Sequence, residues 1–296
     1  MSKATAVAYA IQGLVKYHGL KDRKRRIPYH DSISVCVEKL TTTATIDFGN
    51  ISQDIIEING KQATPSEASR VNAVISAVKK LAKSQSHFRL MSVNSLKQGK
   101  GLGFSAAAFA AISLASCTAL GVNLASERLS EIARLGAGSA SRSVVGGFSI
   151  WYANKSGRSY AKRLDSGRGL DLAMGVVPIP STVKTEMAHE ESVGSPFFKA
   201  RLKEVRGTLR AMLKAIRAGD IDEVGRLTEA ESLSLHAVTM TGKSGLLLMA
   251  PETIRIIQRM RSMREERHIP VWYSLDRKST RLNSSHSRAS RMPSSA

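Results

Sequence analysis

The chain has 296 residues, 42% of them hydrophobic, with 44 lysines and arginines against 24 aspartates and glutamates, a formal charge of +20. That is enough apolar material for a sizeable core in one large or two smaller domains. Its two cysteines, Cys36 and Cys117, sit in a strand-like and a helix-like run, and its seven histidines show no paired-ligand spacing, so neither a disulfide framework nor a metal site is indicated.

In chain order, Asp31 to Phe48 alternates apolar and polar positions, and Ile55 to Ile58 followed by Asn59-Gly60 reads as a strand entering a turn. Val71, Val74, Ile75, Val78 and Leu81 recur at helical spacing and give one buried face. Gly101-Leu102-Gly103-Phe104-Ser105 then opens a helix rich in small residues. Ser126 reads as the N-cap of a helix through Leu135 that Gly136 stops, and Gly147 to Tyr152 as a strand.

A second part starts near the apolar strand Met174 to Val177, ended by Pro178 and Pro180. Ser195-Pro196 supplies an N-cap and a first-turn proline for a helix through Ala218 with the stripe Leu202, Val205, Leu209, Leu213 and Ile216. Its cations Arg201, Lys203, Arg206, Arg210, Lys214 and Arg217 read as a solvated face. Helices from Asp220 and Pro251 follow, and His268 to Leu275 reads as a strand. The pattern is that of an α+β protein of two layered domains, residues 3–170 and 171–276, with the active site between them.

The chemistry concentrates in glycine-rich turns. In Gly136-Ala137-Gly138-Ser139-Ala140-Ser141-Arg142-Ser143, one permanent cation with a planar fork of donors suits a carboxylate or phosphate, and the small residues around it add donors without bulk. The Gly101 to Ser105 loop aims the free N–H groups and dipole of a helix N-terminus at its contents, for which an anion is the natural guest. Its spacing is neither that of the P-loop nor that of the dinucleotide fingerprint. Lys16-Tyr17-His18-Gly19 adds a third candidate element.

These blocks together resemble the GHMP superfamily of small-molecule kinases and, within it, the mevalonate diphosphate decarboxylase branch, over about residues 3 to 276. Ala8 to Gly19 is similar to the branch's N-terminal strand ending in Lys-Tyr-Trp-Gly, with His18 at the tryptophan position and Ile11 where asparagine is usual. Ile27 to Val35 resembles its Leu-Pro-x-Asn-Asp-Ser-x-Ser-Val block, and Gly101 to Ser105 its nucleotide-phosphate loop, with Phe104 replacing a serine. The Arg142 turn, the stretch from Gly219 to His236 and Trp272 to Asp276 complete the order. The wording Ile11 to Gly19 with Tyr29-His30-Asp31-Ser32 is most similar to the archaeal phosphomevalonate decarboxylases.

The resemblance implies a two-domain GHMP kinase-like fold that uses ATP and Mg²⁺ to phosphorylate the tertiary hydroxyl of a 5-phosphorylated mevalonate and then lose that phosphate with CO2. It implies a carboxylate contact for Arg142, with Ser139 beside it, and a role for Asp276 in accepting or orienting the hydroxyl proton. Gly101, Gly103 and Ser105 would cradle the triphosphate. Lys16, Tyr17 and Ser195 would meet the substrate phosphate or the transferring phosphoryl group. A kinase that stops after phosphorylation is the alternative within the fold, and the acid at Asp276 favours the decarboxylase.

A basic nucleic-acid-binding protein is the alternative from another class. Aromatic residues make up only 5% of the chain and no aromatic stripe interleaves the charge, which argues against it. Ser105 to Ala125 has too few large apolar residues to read as a membrane span, and with no signal-peptide pattern the expectation is a cytoplasmic enzyme, with a homodimer left open. The last 20 residues, from Arg277, contain five cations and no acid and lack apolar periodicity. They read as non-native sequence joined to an incomplete second domain, with a genuine basic tail as the alternative.

Overall fold

A computed structural model describes residues 2–96, 102–164, 170, 172–177, 179 and 185–275. The chain divides into two compact units, Met1–Leu164 and Asp165–Ala296.

The first unit is built on a seven-stranded sheet of order β6-β5-β7-β4-β8-β9, with β1 also paired to β4. Its strands are β1 (Lys3–Val15), β4 (Ser32–Asp47), β5 (Ile55–Ile58), β6 (Lys61–Gln62), β7 (Arg89–Asn94), β8 (Phe148–Trp151) and β9 (Ala161–Arg163), while β2 (Leu20–Asp22) and β3 (Ile27–Pro28) form a separate hairpin. The alternation in Asp31 to Phe48 thus becomes one long strand. A register shift after Tyr9, which pairs with Thr41 while Ala10 pairs with Val37, divides β4 into two working halves. Thr42 to Asp47 pair with β7, and Ser32 to Val35 pair with β8.

Two helices cover the β7 half. Thr64 caps α1 (Pro65–Ala82) in a reciprocal capping box with Glu67, and Val71, Val74, Ile75 and Val78 face inward as their spacing requires. The segment of small residues becomes α2 (Phe104–Ala119), so short in side chain that it lies almost flush on the sheet; twelve of its residues are buried. Ala6, Ala8, Ala44, Ile46, Leu90, Phe109 and Ile112 join the α1 face in one core. Among the described residues no helix is long and apolar enough to cross a membrane.

Next come α3 (Ser126–Gly136) and α4 (Ala140–Val145). Here Ala125, not Ser126, is the N-cap, and Gly136 closes the last helical turn. That glycine is set by packing: a Cβ on it would lie 2.1 Å from the Phe109 ring. The following strand is shorter at both ends than Gly147 to Tyr152, because Gly147 holds φ +56° and Tyr152 leaves the ladder.

The second unit contains α5 (Thr185–Gly194), α6 (Phe198–Ala218), α7 (Ile221–Met240) and α8 (Pro251–Arg267). Ser195 lies outside α6 and receives the Phe197 N–H at 3.2 Å, whereas Asp220 caps α7 through the Glu223 N–H at 3.0 Å. Two expected strands are absent among the described residues: 174–177 and 268–275 form no ladder. The latter segment is instead held by side chains of α7, with Tyr273 N–H donating to Glu229 and Leu275 N–H to the Ser232 hydroxyl. Its Val271, Tyr273 and Leu275 pack on Ile257 and Met260 of α8. Apolar alternation is satisfied there by helix packing, with no neighbouring strand among the described residues.

Arg201 overturns the expectation of a solvated cation. It is 3% exposed, paired with Glu231, and donates to the Ser234 hydroxyl at 2.8 Å. Arg201, Val205, Leu209, Met212 and Ile216 share the inward face of α6, so this cation occupies a position in the buried stripe. Its partner stands 30 residues away on α7, beyond local periodicity.

In the first unit, Glu131 is buried and receives Arg128 at 2.6 Å and Arg158 at 2.9 Å, pinning α3 to the turn before β9. Burial alone would raise its carboxyl; the bonds from Arg158 and Arg128 outweigh that and hold it below its ordinary value. A lowered folded-state value gives stability above the ordinary carboxylate range that is lost as pH falls through the lowered value. Unfolding free energy measured in urea should therefore fall more steeply between about pH 5 and about pH 3 in the wild type than in Glu131→Gln. Parallel curves would mean the two arginines contribute nothing net to folding.

Candidate active site

Beyond the register shift β1 runs between β4 and the N-terminal end of α2, and it ends where Lys16, Tyr17 and His18 leave the ladder. All three are buried, at 5%, 9% and 0% exposure. Lys16 folds back along its own strand and donates to the Gly13 carbonyl at 2.7 Å. Gly13 makes room for this: a Cβ there would stand 3.0 Å from the Lys16 Cγ. The lysine stem is thus packed and its ammonium held at the strand's end.

Tyr17 meets Trp151 of β8 edge to face, with ring centroids 4.9 Å apart. Over this aromatic pair lies the Arg142 guanidinium of α4, 5.7 Å from the Tyr17 ring and 5.9 Å from the Trp151 ring, in the range of cation–π attraction. Arg142 is only 3% exposed. Gly138 admits the arrangement, since a Cβ would fall 2.9 Å from the Trp151 ring and 3.0 Å from the Tyr17 hydroxyl. Serines hold the turn: Ser141 donates to the Gly138 carbonyl at 2.7 Å, and Ser143 donates to the Tyr9 carbonyl at 2.6 Å, tying α4 to β1. Ser139 is the half-buried N-cap of α4, and its carbonyl receives the Arg142 N–H.

Gly103 caps α2 in the left-handed conformation, φ +75°. The structural demand for glycine here comes first from β1: a Cβ would stand 3.0 Å from the Ile11 carbonyl oxygen. Glycine at this position is thus required by the loop's approach to the sheet, whatever else approaches the loop. Ser105 stands exposed in the first turn of α2. This 16-residue helix offers first-turn N–H groups and the positive end of its dipole at the Gly103 side.

Asp31, in the block after β3, anchors the site's rim by accepting the Ala153 N–H at 2.7 Å. Burial raises its carboxyl, partly countered by that N–H and by Lys155. The neighbouring His30 ring meets the Asp31 carbonyl at 2.7 Å.

The structure brings Tyr17 and Arg142 into contact, places Lys16 and Ser139 beside them in the chain, and sets Gly103 against Ile11 of the same strand. Ser195 belongs to the second unit, where its hydroxyl meets that of Thr241 at 2.7 Å. Gly101 and Asp276 lie outside the described residues. Trp151 escaped the sequence reading; a tryptophan closing an apolar strand beside a glycine-rich turn was the available signal. Among the described residues no three His, Cys, Asp or Glu side chains cluster as metal ligands. A cavity of about 620 Å³ in the second unit, with Trp272 in its wall, contains none of these residues and includes the ion pairs Arg226–Glu223 and Arg264–Glu229.

Comparison with known proteins gives the family. Residues 8–161 match the family model of the diphosphomevalonate decarboxylase-like N-terminal domain, and residues 179–278 that of the mevalonate 5-diphosphate decarboxylase C-terminal domain. The phosphomevalonate decarboxylase of Haloferax volcanii is 38% identical over 276 residues, 93% of this chain and 85% of that protein. The crystal structure of mevalonate diphosphate decarboxylase from Staphylococcus aureus aligns with TM-score 0.90 at 28% identity, covering 96% of this chain and 88% of that one. A structure described as MDDEF in complex with MVAPP, AMPPCP and magnesium aligns with TM-score 0.89 at 26% identity, covering 97% and 89%. With a buried arginine over paired aromatics, a glycine-capped helix and both domain models matched in order, the chain belongs to the diphosphomevalonate decarboxylase-like family.

Proposed function

We propose that this chain catalyses the ATP- and Mg²⁺-dependent decarboxylation of a 5-phosphorylated mevalonate, yielding an isopentenyl phosphate, and that mevalonate 5-phosphate is the preferred substrate. The observation that carries the reading is the Arg142 guanidinium held over Tyr17 and Trp151, on the chain of a family whose relatives perform this reaction. The preference for the monophosphate rests on the 38% identity to a phosphomevalonate decarboxylase, against 26% to the human diphosphomevalonate decarboxylase.

The residues present fit a nucleotide. Gly103 and the first turn of α2 form a cradle without side-chain bulk, and the exposed Ser105 hydroxyl is free of steric cover. Gly103 and Ser105, with Gly101, would hold the triphosphate and its magnesium. ATP supplies the phosphoryl group that converts a poor leaving group, the tertiary hydroxyl, into a good one.

The protein's own contribution is orientation and charge. Arg142, already fixed by packing, holds the substrate carboxylate through its fork and so selects which carbon–carbon bond aligns with the departing phosphate. Because the guanidinium is positioned before substrate arrives, little further ordering is needed. Ser139 contributes a hydroxyl on the same turn. Lys16 and Tyr17 take the substrate phosphate, the ammonium exchanging its hold on the Gly13 carbonyl for a stronger bond to an anion. Ser195 is assigned to the transferring phosphoryl group, and Asp276 to the hydroxyl proton. The reaction's soluble, charged reactants suit a cytoplasmic location, and light scattering decides whether the enzyme is a homodimer.

Incubation with ATP, Mg²⁺ and mevalonate 5-phosphate should release ADP and CO2 in equal amounts, with the 5-diphosphate turned over less well. ADP without CO2 would make the protein a kinase; neither product would dismiss the reading. Arg142→Lys keeps the charge and loses the fork, so kcat/KM should fall by about 10²-fold or more. Unchanged kinetics would reduce the turn to scaffolding. Asp276→Asn should lower kcat by about 10²-fold or more with little change in ATP affinity. Full activity would remove Asp276 from the chemistry.

A further inference from the structure

The end of α7 carries a hydroxyl that the sequence did not single out. Near their C-terminal ends α5 and α7 are joined by three polar contacts. The hydroxyls of Ser192 and Thr239 meet at 3.3 Å, the Ser244 N–H donates to the Glu191 carboxylate at 2.9 Å, and the hydroxyls of Ser195 and Thr241 meet at 2.7 Å. Gly242 permits the approach, since a Cβ on it would overlap the Glu191 backbone. Thr241 is the C-cap of α7 and is exposed, whereas Ser195 is only 6% exposed.

The direction of the Ser195–Thr241 bond follows from counting protons, because each hydroxyl has one to give. Thr241 gives its own to the Ala237 carbonyl, 2.7 Å away and one helical turn back, and a carbonyl can only accept. Ser195 is therefore the donor to Thr241, while its oxygen accepts the Phe197 N–H at 3.2 Å. An ionised phosphoryl oxygen also only accepts, so Ser195 can serve one only by turning its O–H away from Thr241. Thr241 is free to turn in response. The Ala237 carbonyl keeps a partner without the hydroxyl, since it also accepts the Thr241 N–H at 3.1 Å. After both rotations the bonds run from Thr241 to Ser195 to the phosphoryl oxygen. A hydroxyl that accepts one bond while donating another is the stronger donor, and a bond to an anion is stronger than the neutral one it replaces.

We infer that Thr241 is a positioning residue that acts through Ser195. It accepts the Ser195 O–H in the structure described, and it turns its own O–H onto the Ser195 oxygen when Ser195 donates to the transferring phosphoryl group. No covalent bond changes; two O–H groups rotate. The inference rests on the decarboxylase reading and on the place given to Ser195 within it. Valine at position 241 would keep the shape of the cap and lose the hydroxyl, whereas serine would keep the hydroxyl and lose a methyl group.

ADP release by the full chain with ATP, Mg²⁺ and mevalonate 5-phosphate separates this role from a structural one. Thr241→Val should lower kcat about 5- to 20-fold with both KM values within about twofold of wild type, and Thr241→Ser should recover most of the loss. Ser195→Ala should lower kcat at least as far. Adding Thr241→Val to Ser195→Ala should then change kcat no further, because the hydroxyl it acts through is gone. A wild-type kcat in Thr241→Val, or the same loss from it in both backgrounds, would overturn the inference, as would a Thr241→Ser as slow as Thr241→Val. Wild-type kinetics in Ser195→Ala would remove Ser195 from the chemistry and this inference with it, leaving the decarboxylase reading in place. A wild type that releases neither ADP nor CO2 would bring down that reading as well.

Discussion

A guanidinium cannot shed its charge, so a buried one must be compensated by the structure around it, and the first unit of this protein is arranged to do so for Arg142. Part of that compensation comes from the negative faces of Tyr17 and Trp151, which lie beneath it. A cation held at 3% exposure is costly to bury, and a substrate carboxylate is the group its fork suits.

Much of the surrounding architecture follows from that placement. The rings meet because β4 carries β1 on one edge and β8 on the other, so that Tyr17 just beyond β1 and Trp151 of β8 reach each other across one strand. Gly138 is fixed by the two rings, and Ser143 fastens α4 to β1 so that the guanidinium cannot drift. The same strand passes under Gly103, so one element, β1, sets the positions of the nucleotide-side loop, the lysine and the tyrosine. A shift in its register would displace all three together.

The sequence made legible whatever depends on local period and turn chemistry. Val71 to Val78 faced inward on α1, the small-residue run became the buried α2, and the Arg142 turn became a tight junction between helices. What stayed hidden was set by partners distant in the chain. Arg201 looked like one more surface cation because Glu231 is not visible from its own helix. The run 268–275 alternated like a strand, yet Glu229 and Ser232 took its N–H groups. Gly103 looked like a glycine for phosphates, and its first demand comes from the Ile11 carbonyl.

The central claim is that Arg142 is kept buried for a ligand and not for the fold. Thermal unfolding of wild type and Arg142→Met, each with and without mevalonate 5-phosphate, tests it most directly. The account predicts that the ligand raises the unfolding temperature of wild type but not of Arg142→Met. A variant that unfolds well below wild type, with the same ligand-induced rise in both, would show that Arg142 serves the fold and that the substrate is held elsewhere.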